Sequence, residues 1–419
     1  MRPIAKVIGR RHGLGGRWPF VALLAAASAC GGVVEQGAEE SDAERTLSLV
    51  ETLGGLDTAG YARALAVRDF VFPEDHGPHE AFRTEWWYVT GNLETDDGRP
   101  FGFQFTIFRS ALAPTPPGGP SSWATNQAYM GHFALTDVDG EDFRAAEIFA
   151  RGGGGLAGAS ARPFRVWLED WRLESVESGD AERAPLRADR GAGRDPAAGV
   201  FPLRLSADQD GVELELVLEA GKLHVRQGDA GLSRKGPEPG NASHYYAHTR
   251  MPASGRIVKD GDTVAVAGLA WLDREWSTSA LSEGQVGWDW FALQLDDGWE
   301  VMVYQLRRSD GTADVFSDGV LVDPEGRRVA LSWGTDVEVQ PTGTWASPVD
   351  GSVYPSGWRV RVPQRGWDLA VEPAVLDQEL RVAFRYWEGS VRVSGKGEGG
   401  EAVTGRGYVE LTGYAGAGR

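Results

Sequence analysis

The chain has 419 residues, of which 60 are acidic and 42 basic, for a net charge of −18 at pH 7. This charge disfavours a nucleic acid or an anionic membrane surface as a partner. Cys30 is the only cysteine, so no intramolecular disulfide can form and an apolar core must stabilise the fold. The 57 glycines and 16 tryptophans indicate many tight turns and broad aromatic surfaces, fit for a core or an apolar ligand.

Residues 1–29 have the features of a signal peptide. They begin with basic side chains, lack acidic ones, and contain an apolar run over residues 20–27 that is too short to span a bilayer. The small residues before Cys30 resemble the lipobox of bacterial lipoproteins, so we predict that Cys30 is acylated. The alternative is ordinary cleavage that leaves Cys30 as a free thiol. The predicted product is an exported lipoprotein that faces the periplasm or the cell exterior and contacts the membrane through its lipid anchor only.

Residues 30–66 are rich in glycine, alanine, glutamate and aspartate. This composition predicts a flexible tether between the anchor and the folded body.

From residue 67 onward the predicted elements are strands. Runs of alternating apolar residues are separated by turns that end in glycine and contain aspartate, which is a strong signal for β-hairpins. These turns lie at residues 96–98, 137–140, 209–211, 259–261, 296–298 and 323–326. No stretch of the body shows a sustained helical period. The predicted fold class is therefore all-β.

An aromatic hairpin occurs once in each half of the body. Trp87 starts an aromatic run that leads through the turn at residues 96–98 into a second apolar run, and Trp290 starts a similar pair around residues 296–298. The repetition indicates two related β-barrels in tandem.

The glycine- and proline-rich residues 236–240 form the clearest break in the body. They predict an N-terminal lobe over residues 67–240 and a C-terminal lobe over residues 241–419. Each lobe is long enough for a barrel of about eight to ten short strands.

A loop rich in acids and histidines precedes the first aromatic strand. Within it, His76 and His79 stand in an H-x-x-H pattern beside Glu74 and Asp75, which could bind a metal. The intervening glycine–proline turn instead favours a loop folded against the barrel mouth. We therefore predict no metal site and no cofactor.

Residues 244–250 and 271–276 form the densest polar and aromatic segments. Side chains two residues apart on a strand share a face. Each segment then has one face rich in functional groups, and these faces carry His244, Tyr246 and His248 on the first segment and Trp271, Asp273 and Glu275 on the second. If the two faces meet, two carboxylates, two imidazoles and two rings converge in one pocket.

A carboxyl group in such a pocket would have its pKa raised by desolvation and by the second carboxylate. It would keep its proton near neutral pH, as a general acid must. The alternative is a set of paired charges that lines a barrel for structural reasons, since structural ion pairs also perturb pKa values. The sequence lacks the G-x-S-x-G and H-E-x-x-H motifs of hydrolases, so a serine- or metal-dependent hydrolase is the third choice.

Five segments together resemble the AttH-like and carotenoid 1,2-hydratase family. The likeness extends in order over most of residues 70–415, and its most specific blocks are T-E-W-W-Y and W-x-D-x-E-W. The segments are residues 72–79, 84–88, 271–276, 287–291 and 386–389.

The resemblance implies a pair of lipocalin-like domains, in agreement with the repeat. In the hydratase branch, an aspartate protonates a terminal isoprenoid double bond and water captures the tertiary cation. Carried onto this chain, Asp273 is the acid, and His244, Tyr246 and Trp271 are the matching helpers. Tyr246 stands where the hydratases carry tryptophan, and Trp271 stands where they carry tyrosine.

The leading hypothesis is an exported enzyme that hydrates an apolar, isoprenoid-like small molecule by acid catalysis. The competing hypothesis is a lipocalin-like carrier that binds a hydrophobic small molecule without turnover. In either case we expect the ligand to contact four further residues of the predicted pocket, namely Trp87, His248, Glu275 and Trp290.

Overall fold

The computed structural model describes residues 58–176, 195–279 and 281–415. The predicted signal peptide, Cys30 and the predicted tether up to residue 57 lie outside the described residues. Among the described residues, there is no helix long and apolar enough to cross a membrane.

The last part of the predicted tether is attached to the body. The Tyr61 hydroxyl donates a hydrogen bond to the Ala111 carbonyl at 2.9 Å, and Ala64 is buried. The prediction of a tether as far as residue 66 is therefore wrong at its C-terminal end.

Strands dominate the described chain, which confirms the all-β prediction. The first sheet has thirteen strands within the described residues. They are β1 (Thr84–Glu94), β2 (Pro100–Ala111), β3 (Gln127–Asp137), β4 (Asp142–Arg151), β5 (Ala157–Ala161), β6 (Phe164–Leu168), β7 (Trp171–Ser175), β8 (Leu203–Gln209), β9 (Val212–Leu218), β10 (Val225–Arg226), β11 (Leu232–Arg234), β12 (Ala242–Lys259) and β13 (Asp262–Ser277).

The second sheet has ten strands within the described residues. A separate two-stranded ribbon occurs between the fifth and sixth of these strands in the sequence. The sheet consists of β14 (Gln285–Leu295), β15 (Glu300–Arg308), β16 (Asp318–Val322), β17 (Arg328–Ser332), β18 (Glu338–Pro341), β21 (Trp358–Val362), β22 (Trp367–Pro373), β23 (Glu379–Leu380), β24 (Tyr386–Lys396) and β25 (Ala402–Leu411), and the ribbon of β19 (Thr344–Ala346) and β20 (Val353–Pro355). Short 3-10 helices occur at Glu74–His76, Pro196–Val200 and Pro363–Arg365.

All six predicted turns connect antiparallel neighbours, as the sequence pattern requires. Two of them are two-residue turns with positive φ at both positions. The values are 53° and 82° at Asp210 and Gly211, and 54° and 92° at Asp260 and Gly261. Such turns match the right-handed twist of the strands that they join.

The two sheets repeat one topology. The first sheet has the order β4-β3-β2-β1-β13-β12, and the second has the order β17-β16-β15-β14-β25-β24. In each sheet four consecutive strands form a meander, and the first of them pairs with the last strand of the lobe. The first sheet is a nearly closed barrel and the second is a half-barrel. The predicted tandem of lipocalin-like lobes is thus confirmed.

The predicted boundary at residue 240 does not separate the two sheets. Strands β12 and β13 lie beyond it, yet β13 pairs with the whole of β1, from Thr84 opposite Ser277 to Glu94 opposite Ala267. Residues 236–240 form a loop inside the first lobe, which ends with β13 at Ser277, and the second sheet begins with β14 at Gln285. The prediction was wrong because a glycine- and proline-rich break marks a turn equally well within a lobe.

Each lobe has its own apolar core, and hydrogen bonds connect the two lobes directly. The Asn92 side-chain amide donates to the Gly407 carbonyl at 3.0 Å, and the Gln294 amide donates to the Thr249 carbonyl at 2.7 Å. A third, largely aromatic cluster lies where strands β1, β12 and β13 face β14, β15 and β25. This cluster surrounds the candidate site.

Candidate active site

A cavity lies between the two sheets, on the face of each sheet opposite its main core. It encloses about 810 Å³, including the part that is open to solvent. Aromatic and aliphatic side chains make up most of its wall, namely Trp86, Tyr88, Phe108, Tyr245, Leu281, Trp288, Trp290, Tyr304 and Leu306. The polar lining consists of Thr84, Lys235, Asp273, Glu275, Ser277, Ser279 and Glu410.

Strand β13 places its acids in this cavity by simple alternation. Asp273, Glu275 and Ser277 point into the cavity, whereas Leu272 belongs to the core inside the first barrel. Arg274 also lies on the barrel side, with its guanidinium 4.0 Å from the centre of the Trp87 ring. The sequence-predicted shared face of Trp271, Asp273 and Glu275 is therefore present.

The Asp273 carboxyl group is buried and held by two donors. The Tyr245 hydroxyl donates to Oδ2 at 2.7 Å, and the Trp271 indole N–H donates to Oδ1 at 2.7 Å. Burial raises the pKa of Asp273 to about 8, and the nearby Glu275 and Glu410 add to this rise, while the two hydrogen bonds oppose it. Asp273 is mainly protonated at neutral pH, as the sequence argument predicted for a carboxyl group in such a pocket.

His244, Tyr246 and His248 do not meet Asp273, and this part of the prediction is wrong. In the pairing of β12 with β13, Ala247 is opposite Asp273. Paired residues on neighbouring strands point to the same side of a sheet. Tyr245 and Ala247 therefore lie on the side of the cavity, and the three predicted residues face the first barrel.

Inside the barrel, the predicted residues form a separate aromatic and histidine cluster. The Tyr246 hydroxyl is 2.6 Å from Nδ1 of His76, and the ring of His248 is stacked 6.1 Å from the ring of His76. Burial lowers the pKa of His248 to about 3 and that of His244 to about 4, so both imidazoles are neutral.

Of the two tryptophans predicted to contact the ligand, only Trp290 lies in the cavity. Its ring makes edge-to-face contacts with Tyr88 at 5.3 Å and with Trp271 at 6.2 Å between centroids. Trp87 points into the first barrel, where its indole N–H donates to the His76 carbonyl at 2.7 Å. Its neighbours Trp86 and Tyr88 take the cavity face instead.

The cavity residues that the sequence analysis did not select include Tyr245, Lys235 and Glu410. Tyr245 sits between the two residues that were chosen, and only the strand register distinguishes it from them. Glu410 accepts a hydrogen bond from the Trp288 indole at 2.9 Å, and burial raises its pKa to about 7. A lone acid in the aromatic–apolar alternation of β25 was the available signal for it.

A further buried acid lies behind the cavity wall. Tyr88 donates a hydrogen bond from its hydroxyl to Glu388, which is opposite Glu410 in the pairing of β24 with β25. Burial raises the pKa of Glu388 well above its usual range, and the nearby Glu410 adds to the rise. Burial and the neighbouring acid thus both disfavour a negative charge on Glu388.

An ion-pair network around Glu85 of β1 supports β13 from the barrel side, and the acid- and histidine-rich loop contacts this network through His79. Glu85 forms ion pairs with both Arg109 and Arg274. Burial opposes ionisation of Glu85, but Arg274 and Arg109 outweigh it and hold the pKa of this carboxyl well below its usual range. His79 contacts Glu85 at 3.2 Å and stacks on Trp276 at 3.8 Å.

The loop histidines already have protein partners. Both ring nitrogens of His76 are hydrogen-bonded, to Tyr246 and to the Ala197 carbonyl. Within residues 58–176, 195–279 and 281–415, no group of three or more potential metal ligands is found.

Comparison with known proteins identifies the family. A family model described as AttH-like matches residues 63–414. The chain belongs to the AttH-like family. The crystal structure of an AttH protein from Nitrosomonas europaea is similar to it, with 33% identity and a TM-score of 0.69 over 84% of this chain and 100% of that one.

A second solved structure with a fold similar to that of this AttH-like chain is kievitone hydratase from Nectria haematococca. It shares 16% identity, with a TM-score of 0.60 over 85% of this chain and 96% of that chain. At this identity the likeness concerns the fold alone. No curated protein sequence matches the chain significantly.

Proposed function

We propose that this protein is a hydratase-type enzyme that protonates a carbon–carbon double bond of an apolar, isoprenoid-like substrate and adds water to it. One observation carries the proposal. Asp273 is a buried carboxyl group that keeps its proton at neutral pH, and it stands in the wall of a cavity lined mainly by aromatic and aliphatic side chains.

The reaction balances with the groups that line the cavity. The Asp273 proton forms a new C–H bond with the less substituted alkene carbon, and the electron pair left on oxygen makes Asp273 a carboxylate. A water molecule then donates a lone pair to the tertiary cation and forms the C–O bond. The excess proton of the oxonium ion returns to the Asp273 carboxylate, which restores the acid.

The cavity can support the charged species of this path. The Tyr245 and Trp271 hydrogen bonds stabilise the Asp273 carboxylate that forms as the proton leaves. Aromatic faces such as that of Trp290 contribute about 0.5–2 kcal/mol each to a cation. Enzymes lower barriers by at least roughly 8 kcal/mol, so positioning of the substrate and exclusion of bulk water must add to the effect of the rings.

Family and fold support the proposal. The Nectria haematococca protein of similar fold is a kievitone hydratase, and the similarity covers 85% of this chain. A hydratase needs an acid, a water molecule and a cavity, and no cofactor is required for this chemistry.

The test is Asp273→Asn, measured for product formation, ligand affinity and melting temperature. We expect kcat to be lost while affinity stays near that of the unchanged protein, because asparagine keeps the shape but cannot protonate carbon. A carrier would have no turnover to lose. Full activity in the variant, or early melting with loss of binding, would contradict the assignment of Asp273 as the acid.

A further inference from the structure

Lys235 and Glu275 form an ion pair in the wall of the cavity. Glu275 lies on β13, two residues after Asp273. The Lys235 ammonium is 3.4 Å from Oε1 of Glu275, and both side chains are largely buried, with exposed fractions of 14% and 8%. The ammonium also lies over the face of Tyr304, 4.2 Å from the ring centroid. Asp273 and Glu275 share a face of the strand, so their backbone positions are about 7 Å apart.

Burial disfavours the charged ammonium of Lys235, but the attraction of Glu275, together with smaller contributions from Tyr304 and Asp318, outweighs this effect and raises the pKa of Lys235. The two charges cancel each other, and the neighbouring Asp273 is protonated. A ligand therefore enters a cavity of low net charge that contains a strong hydrogen-bond donor beside a strong acceptor.

A pure hydrocarbon would be a poor occupant of this part of the cavity. An ammonium has three N–H donors and a carboxylate has two acceptor oxygens, so a single contact between them leaves capacity on both sides. A hydrocarbon that displaced water from these groups would leave that capacity unsatisfied, and buried polar groups without partners are strongly unfavourable. The ligand must bring a polar group to this position.

The chemistry of the pair selects among polar groups. An alcohol or phenol oxygen can accept from Lys235 while its O–H donates to Glu275. An ether or ketone oxygen can only accept, and a carboxylate is repelled by Glu275.

We propose that the cavity is specific for a hydroxylated alkene, whose hydroxyl group bridges Lys235 and Glu275 while its double bond lies at Asp273. The placement of the double bond rests on the proposed function. The placement of the hydroxyl group rests on the ion pair alone.

The experiment is calorimetric titration of the protein with four probes that share one prenyl chain: farnesol, farnesyl methyl ether, farnesoic acid and farnesene. We expect farnesol to bind about tenfold more tightly than each of the others, as for one hydrogen bond to a charged group. Ether or hydrocarbon binding as tight as that of farnesol overturns the proposal, and this series needs no variant.

Variants assign the preference to the pair. Lys235→Met should remove it, and the double variant Lys235→Met/Glu275→Leu should remove it without leaving an unpaired buried charge. Lys259→Met is the matched control, because Lys259 forms ion pairs with Asp137 and Asp142 at 2.8 Å outside the cavity and should keep the preference. A double variant that folds and still prefers farnesol overturns the assignment.

Turnover separates this proposal from the preceding one. Preference for farnesol without any product, in the unchanged protein, leaves the ion-pair proposal standing and contradicts the hydratase proposal. Product formation with no preference among the probes supports the hydratase proposal and contradicts the ion-pair proposal. Asp273→Asn should retain the preference.

Discussion

Asp273 is subject to two opposing influences on its carboxyl group. Burial and the neighbouring acids favour the protonated form, while the hydrogen bonds from Tyr245 and Trp271 favour the carboxylate. Burial and the neighbouring acids keep Asp273 protonated at neutral pH, and the two hydrogen bonds stabilise the carboxylate that remains after proton transfer. A general acid requires both, so each influence leads to a separate experiment.

Removal of one hydrogen bond should slow proton transfer. We expect Tyr245→Phe to lower kcat by about 10- to 100-fold, because a hydrogen bond to a charged group contributes about 1.5–3 kcal/mol. Tyr246→Phe is the matched control, since its hydroxyl lies on the other face of β12 and contacts His76. Loss of activity in Tyr246→Phe with normal activity in Tyr245→Phe would contradict the role of Tyr245. It would favour Tyr246, the helper that the sequence analysis predicted.

The pH dependence of kcat/KM should report the acid. A proton donor acts only in its protonated form, so the rate should be level at lower pH and fall as the pH rises through about 8, the pKa of Asp273. Glu410 raises this pKa by charge repulsion. In Glu410→Gln we therefore expect the falling limb to move to lower pH. A rate that rises with pH, or a limb that does not move, would contradict this assignment.

At the scale of the element, the two faces of β13 have different functions. Its cavity face carries the acids, and its barrel face is clamped by Glu85 of β1, which binds Arg274 of β13 and Arg109 of β2. The ion pairs link three neighbouring strands beneath the cavity. The T-E-W-W-Y and W-x-D-x-E-W blocks thus meet through a buried charge network that supports the site from behind.

Glu85→Gln should destabilise this arrangement. The change leaves two buried arginines without their carboxylate, and removal of one partner of a buried ion pair costs about 3–5 kcal/mol. Urea unfolding measures the loss. Glu94→Gln on the same strand is the control, because its ion pair with Arg406 is exposed and contributes about 1 kcal/mol or less. Equal stability of the two variants would show that the buried network is not needed.

At the scale of the whole molecule, the site requires both lobes. Asp273 and Glu275 come from the first sheet, while Trp290, Tyr304 and Glu410 come from the second. Neither sheet alone encloses the cavity. The interior of each lobe is a packed apolar core, and the candidate active site lies between the two lobes.

The location of the whole molecule is a proposal that rests on the sequence. We propose that Cys30 is acylated and holds the body at a membrane. Cys30→Ala should then release the protein into the soluble fraction, and the unchanged protein should incorporate labelled fatty acid. A stable anchor requires more than one membrane signal, since a single acyl chain binds only marginally. A variant that stays with membranes, together with no label in the unchanged protein, would contradict the proposal.

The sequence by itself determined the fold class, the hairpins and the candidate acid. Turn residues and the two-residue period of strands are local properties, so the turns at Asp210 and Asp260 and the shared face of Asp273 and Glu275 could be predicted. Only the tertiary structure decided which faces meet. A shift of one residue in strand pairing turns every side chain to the other face. For that reason Tyr245 rather than Tyr246 reaches Asp273, and the cavity lies between the lobes instead of inside one.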